Sequence, residues 1–197
     1  MRVLAFGTYD VQSHPRMGVL IEGLRASGDR VAEVNIPLGL DTANRVAMLR
    51  QPWRLPAGAF RLARCWALLA VRGRPAYRRE QPDAVLVGYL GHFDVQLARL
   101  LFRRATIVLD HLIFAADTAA DRGESGSVKM RLLGALDRRA LRSADVILVD
   151  SDEHAAMVPA SLADRVLVVS VGAPTAWFEA GAATQRRTDP DATVRPC

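Results

Sequence analysis

The residues best suited to chemistry gather just after short apolar runs. Asp110 and His111 close the run TIVLD at 106–110 and open the segment that follows. A histidine there can exchange a proton with a substrate hydroxyl, or hydrogen-bond it near neutral pH, while Asp110 orients the ring. The plainer alternative is an imidazole that only satisfies loop carbonyls. A second group lies in FGTYDVQSHPRMG, residues 6–18, which holds Gly7, His14, Arg16 and Gly18. A helix beginning at Pro15 presents free N–H groups and about half a positive charge, which attract phosphate. Arg16 adds a cation where the macrodipole disfavours one, so an anion or acidic side chain must offset it, unless Arg16 is simply solvated. The loop is not GxGxxG, which argues against a nicotinamide site.

The remaining candidates have more structural readings. His92, in GYLGHFD, follows a turn glycine and precedes Asp94, a natural helix N-cap, so backbone needs explain most of that motif. Asp117, Asp121 and Arg122 share the loop after Asp110 and His111, where acceptor binding or gating is one option. Ser151 fits a cap better than a nucleophile, since nothing resembles GxSxG. The four His and two Cys have no metal-ligand spacing, so no metal cofactor is expected.

The elements that must position these residues are readable from periodicity. Apolar runs at 2–6, 30–36, 84–89, 106–110, 145–150 and 165–171 suit strands buried on both faces. Helical patterns fall between them at 15–28, 43–80, 94–104, 128–144 and 152–158. Pro15 fits a first helical position and Gly28 a left-handed helix end. The alternation predicts an α/β fold: a single Rossmann-like domain over residues 1–180, its parallel sheet covered by helices on both faces. The sheet order expected by analogy is 3-2-1-4-5-6. Ligands of such sheets bind outside the carboxyl ends of the strands, where the candidates cluster. VVSVGAPTAWFEAG, residues 168–181, reads as the last strand and an exit loop, and 181–197 as a polar linker or tail.

Composition sets broader limits. With 26 basic and 21 acidic residues the chain carries a net charge of +5, which favours anionic partners without choosing among them. Residues 44–79 hold nine Arg and no acidic residue. Helical spacing sets Arg61, Arg64 and Arg72 on a stripe beside Phe60, Leu62, Trp66 and Leu69, an arrangement that suits an anionic membrane surface. The competing reading is an ordinary helix over the sheet with solvated arginines. No nucleic-acid-binding module is recognisable, so nucleic acid is not an expected partner. Neither a signal peptide pattern nor an 18-residue apolar stretch occurs, so a cytoplasmic location is expected, with peripheral docking at the inner face of the membrane as an option.

Several segments together resemble the first, acceptor-side domain of the family 4 retaining glycosyltransferases of GT-B fold. They are RVLAFGTYDVQSHPRMGVLIEGLRASGDRV, DAVLVGYLGHFDVQLARLL, TIVLDHLIFAADTAADRG, and LDRRALRSADVILVDSDEHA followed by VVSVGAPTAWFEAG. The most specific part is LxxxALRxADxxLVxS at 136–151 with the VGA segment after it. The resemblance implies transfer of a sugar from a nucleotide-sugar donor to an acceptor hydroxyl, which can be lipid-linked. In relatives a His at the end of this strand contacts the acceptor, which matches His111, the expected catalytic residue together with Asp110, and the loop holding Gly7, His14, Arg16 and Gly18 faces the interdomain cleft and the donor phosphates. His92, Asp117, Asp121 and Arg122 fall on the acceptor side. In that family a second Rossmann domain binds the donor, and this sequence contains no second strand-helix series. The expectation is a transferase half inactive alone. The alternatives are a non-catalytic, membrane-associated subunit or adaptor paired with a separate donor-binding chain, or a truncated gene product.

Overall fold

The fold comes from a computed structural model, which describes residues 1–39, 55–88, 91–117 and 127–183. Six strands form one sheet: β1 (Arg2–Gly7), β2 (Arg30–Asn35), β3 (Ala84–Val87), β4 (Thr106–Asp110), β5 (Val146–Val149) and β6 (Val166–Val168). All neighbours are parallel. Between them run α1 (Arg16–Ala26), α2 (Leu55–Glu80), α3 (Asp94–Leu101), α4 (Ser127–Ser143) and α5 (Asp152–Met157). A 3-10 segment (Ala160–Arg165) precedes β6, and α6 (Thr175–Ala183) follows it. The α/β reading therefore holds, with five strands within two residues of their expected bounds and β6 shorter, at Val166–Val168 against 165–171.

The strand order differs from the expectation. It is β2-β1-β3-β4-β5-β6, not 3-2-1-4-5-6. Sequence character explains the difference. β3 is AVLV and buried at every position, so it needs a partner on each side. β2 is RVAEVN and mostly half-exposed, which suits an edge. The long helix α2 packs on β1 and β2 and returns the chain past β1, so β3 pairs on the other side of β1. The switch in strand order consequently lies between β1 and β3, and their carboxyl ends form the natural ligand crevice.

Alternation along β1 assigns its side chains to two cores. Leu4 and Phe6 join Leu69, Val85, Val87, Phe102, Ile107, Leu109, Leu141 and Ile147 on one face. Val3 and Ala5 meet Met17, Ile21, Leu86 and Leu148 on the other, under α1. α1 ends as expected, with Gly28 at φ +87° accepting the left-handed conformation. The segment after β6 departs from the exit-loop reading: residues 175–183 are helical, starting with Trp177 N donating to the Pro174 carbonyl. Alanine-rich TAWFEAGAA supplies the helix propensity that the turn-like VGAP before it conceals.

Candidate functional site

The carboxyl ends of the central strands hold two buried polar clusters, one on each face of the sheet. Extended backbone sends successive side chains to opposite sides, so Asp110 and His111 diverge. This corrects the expectation that Asp110 orients the His111 ring. Asp110 instead turns toward α1, where its Oδ1 accepts from Arg16 Nε at 2.8 Å. Arg16 Nη2 also donates to the Val169 carbonyl at 2.9 Å, just past β6. Arg16 is 5% exposed and Asp110 1%, so the required acidic counter-charge is supplied within the protein and the solvated alternative fails. Burial pushes the Asp110 carboxyl above its usual range, against the opposing pull of the Arg16 hydrogen bond and charge. Asp110 Oδ2 is buried without a hydrogen-bond partner.

His111 ends on the other face. Its backbone N–H continues the β4 ladder to the Leu148 carbonyl at 2.8 Å. Its ring meets those of His92 and Phe114 edge-on, with centroids 4.9 and 4.6 Å away. His92 Nε2 lies 2.8 Å from Asp137 Oδ1, and both residues are buried. Asp137 also accepts from the Ala115 and Ala116 amides at 3.0 and 3.1 Å. Burial opposes its ionisation, but these hydrogen bonds outweigh that and hold the carboxyl below the usual range. His111 Nε2 is buried with no hydrogen-bond partner. Beyond Phe114, the His154 ring bonds to Asp150 through Nδ1.

The loop after β1 is built around Asp94. Its Oδ2 accepts from Thr8 N at 2.7 Å and Thr8 Oγ1 at 2.8 Å, and its Oδ1 accepts from Trp66 Nε1 at 2.9 Å. Asp94 is thus a tie among three elements and not the N-cap, a position occupied by Phe93 without a side-chain bond. Gly7 allows this approach: at φ +152° it favours glycine, and an added Cβ would lie 3.0 Å from Asp94 Oδ2. At Gly88, after β3, a Cβ would meet Met17 Cγ at 2.5 Å, so glycine lets α1 sit close to the strand end. Gly18 shows no such constraint, its nearest neighbour being Val11 at 3.8 Å. His14 is half-buried in the loop, its N–H donating to the Asp10 carbonyl. Ser151 caps α5 as expected, accepting from His154 N.

Of the other candidates, Asp117 is exposed, and Asp121 and Arg122 lie outside the described residues. Arg61, Arg64 and Arg72 are exposed on α2. Trp66 is not: it faces inward to Asp94, because a helix packed on the sheet turns its widest apolar stripe to the core. Asp137 escaped sequence reasoning, although it left a signal. It interrupts the apolar stripe of Leu133, Ala140, Leu141 and Ala144 at helical spacing, where a carboxylate needs buried partners. No protein-family model matches the chain, and no curated protein does either.

His111 gives the cluster a pH dependence. Burial first, then the neighbouring His92, lowers its pKa to about 3, with His154 adding to the shift and Asp137 opposing it. The unfolded chain protonates this ring near pH 6.5, as model imidazoles do. Its contribution to stability is therefore complete above that value and is lost as pH falls toward 3. In chelator-containing buffer, His111→Gln should flatten the fall in unfolding free energy between about pH 6 and about pH 4 by up to ~1.4 kcal/mol per pH unit. Urea titrations at several pH values check this, and an unchanged slope contradicts it.

Proposed function

We propose that this chain is the acceptor-side unit of a retaining glycosyltransferase that moves a sugar from a nucleotide donor to an acceptor hydroxyl. One observation carries the reading beyond the motif resemblance. The end of β4 offers two buried polar atoms without partners, Asp110 Oδ2 and His111 Nε2, one on each face at the carboxyl end of the sheet, where β1 and β3 form the switch in strand order. Both are hydrogen-bond acceptors when Asp110 is ionised and His111 is neutral with its proton on Nδ1, as an incoming hydroxyl requires. Donor phosphates need cationic and N–H groups aimed at the leaving diphosphate. Arg16 is already committed to Asp110 and Val169. The reading therefore assigns the donor chiefly to a facing domain, whichever polypeptide carries it.

Titration of the chain with glycoside and polyol acceptors, followed by NMR of the His111 ring and the Arg16 Nε–H, tests this. Binding should shift both signals, and Asp110→Asn should weaken it about tenfold, the worth of one hydrogen bond to a charged group. The chain by itself should turn over no nucleotide sugar. Transfer by this polypeptide alone, or acceptor binding indifferent to Asp110→Asn, contradicts the reading.

A second reading, favoured by α2, is a membrane-associated module that pairs with a donor-binding chain. Phe60 and Val71 are 75% and 71% exposed on this helix, and Arg61, Arg64, Arg72, Arg74 and Arg78 are exposed with them. No described helix is long and apolar enough to cross a membrane, so contact through α2 is at a bilayer surface. The chain should co-sediment with phosphatidylglycerol vesicles and not with neutral ones, and Arg64→Glu with Arg72→Glu should abolish it. Sedimentation independent of lipid charge, or none, removes this reading.

A further inference from the structure

We propose that His92, His111 and Asp137 form a binding site for a divalent transition-metal cation of the zinc type. One ligand atom from each lies within 4.8 Å of the other two, and all three residues are buried. They come from the turn after β3, the end of β4 and the middle of α4, three elements held by one sheet and its covering helices. The site is thus assembled by the fold, with residues 92, 111 and 137 too far apart in sequence to reveal it.

The donor chemistry selects the class of cation. Two imidazoles and one carboxylate suit zinc and its first-row neighbours, whereas calcium and magnesium demand mostly oxygen ligands. His111 presents a neutral ring, since burial keeps it from protonating until far below neutral pH. Its Nε2 has no hydrogen-bond partner although His111 is only 2% exposed. Such a buried orphan disfavours the folded state, and a bound ion is one of the few arrangements that relieve it. The plain hydrogen-bond network does not: the contact between His92 and Asp137 satisfies those two residues and leaves His111 Nε2 unmet.

The carboxylate is already oriented for the task. The Ala115 and Ala116 amides fix the Asp137 carboxyl from behind, the kind of outer support that metal ligands use. Across the 2.8 Å contact a proton bridges His92 and Asp137. A cation bound at zinc distances replaces that proton and holds ligand atoms about 3.3 Å apart. The pair then opens by about half an ångström, and the His111 ring moves inward to bring its ligand nitrogen, now within 4.8 Å of the other two ligand atoms, to about 3.3 Å from them. Three protein ligands leave a fourth position, which in zinc sites takes water or a substrate oxygen. The inference shares His111 Nε2 with the glycosyl-transfer reading, a bound cation taking the place of the acceptor hydroxyl at that atom, and its test uses the metal alone, so the two can fail separately.

The experiment is calorimetric titration of the chelator-stripped full chain with zinc chloride, and absorption spectroscopy with cobalt chloride as the coloured substitute. One equivalent should bind, and cobalt should give the intense visible bands of a four-coordinate site. His111→Gln and Asp137→Asn should each weaken binding at least about tenfold. His111→Cys, which supplies a thiolate ligand, should retain it, separating ligand loss from unfolding. His154→Gln and Cys197→Ser should change nothing. Absence of stoichiometric binding, binding that survives His111→Gln, or binding lost in both His111 variants or in either control variant overturns the proposal.

Discussion

The buried ion pair of Arg16 and Asp110 is the constraint on which the carboxyl end of this sheet depends. An arginine cannot shed its charge, so once it is buried it must keep a counter-ion. Arg16 sits at the first residue of α1, where the helix dipole opposes a cation, and Asp110 answers both demands at 2.8 Å. Through its second bond to Val169, the same guanidinium reaches the chain leaving β6. One side chain thereby joins the first loop, the central strand β4 and the far side of the sheet. The position of α1 follows from it, and with it the burial of Met17 and Ile21 over Val3 and Ala5.

The period of two along β4 then does the rest. Because Asp110 is drawn to one face, His111 is delivered to the other, into a pocket of rings and a helix carboxylate. The outcome is a strand end with an acidic oxygen free on one side and an imidazole nitrogen free on the other. Burying polar atoms without partners disfavours the folded state, and folds tolerate it mainly where a ligand completes the arrangement. Both the glycosyl-acceptor reading and the metal reading draw on that cost.

Local pattern made the elements legible. Runs such as TIVLD and DVILVD announce buried strands, Ser151 announces a cap, and Arg16 at a helix start announces a missing anion. What the pattern withholds is which distant residues answer each demand. Asp110 lies 94 positions from Arg16, and Asp94 lies 86 from Thr8, separations about which periodicity is silent. The strand order failed for a related reason: the side of β1 on which β3 pairs depends on where α2 crosses, and only the polar character of β2 hints at it. Asp137 was missed because it stands on the apolar face of its helix to meet buried partners, and Trp66 was misjudged because the apolar face of α2 turns to the sheet and to Asp94.

The most direct measurement is a double-mutant cycle on Arg16 and Asp110, read as unfolding free energy in urea. Arg16→Met and Asp110→Ala should each cost about 3–5 kcal/mol, since each strands a buried charge or its polar partner. The double variant should cost clearly less than the sum, because removing the second partner also removes the stranded charge. Additivity within about 0.5 kcal/mol would contradict the account, for it would mean that the two side chains do not hold this end of the sheet together.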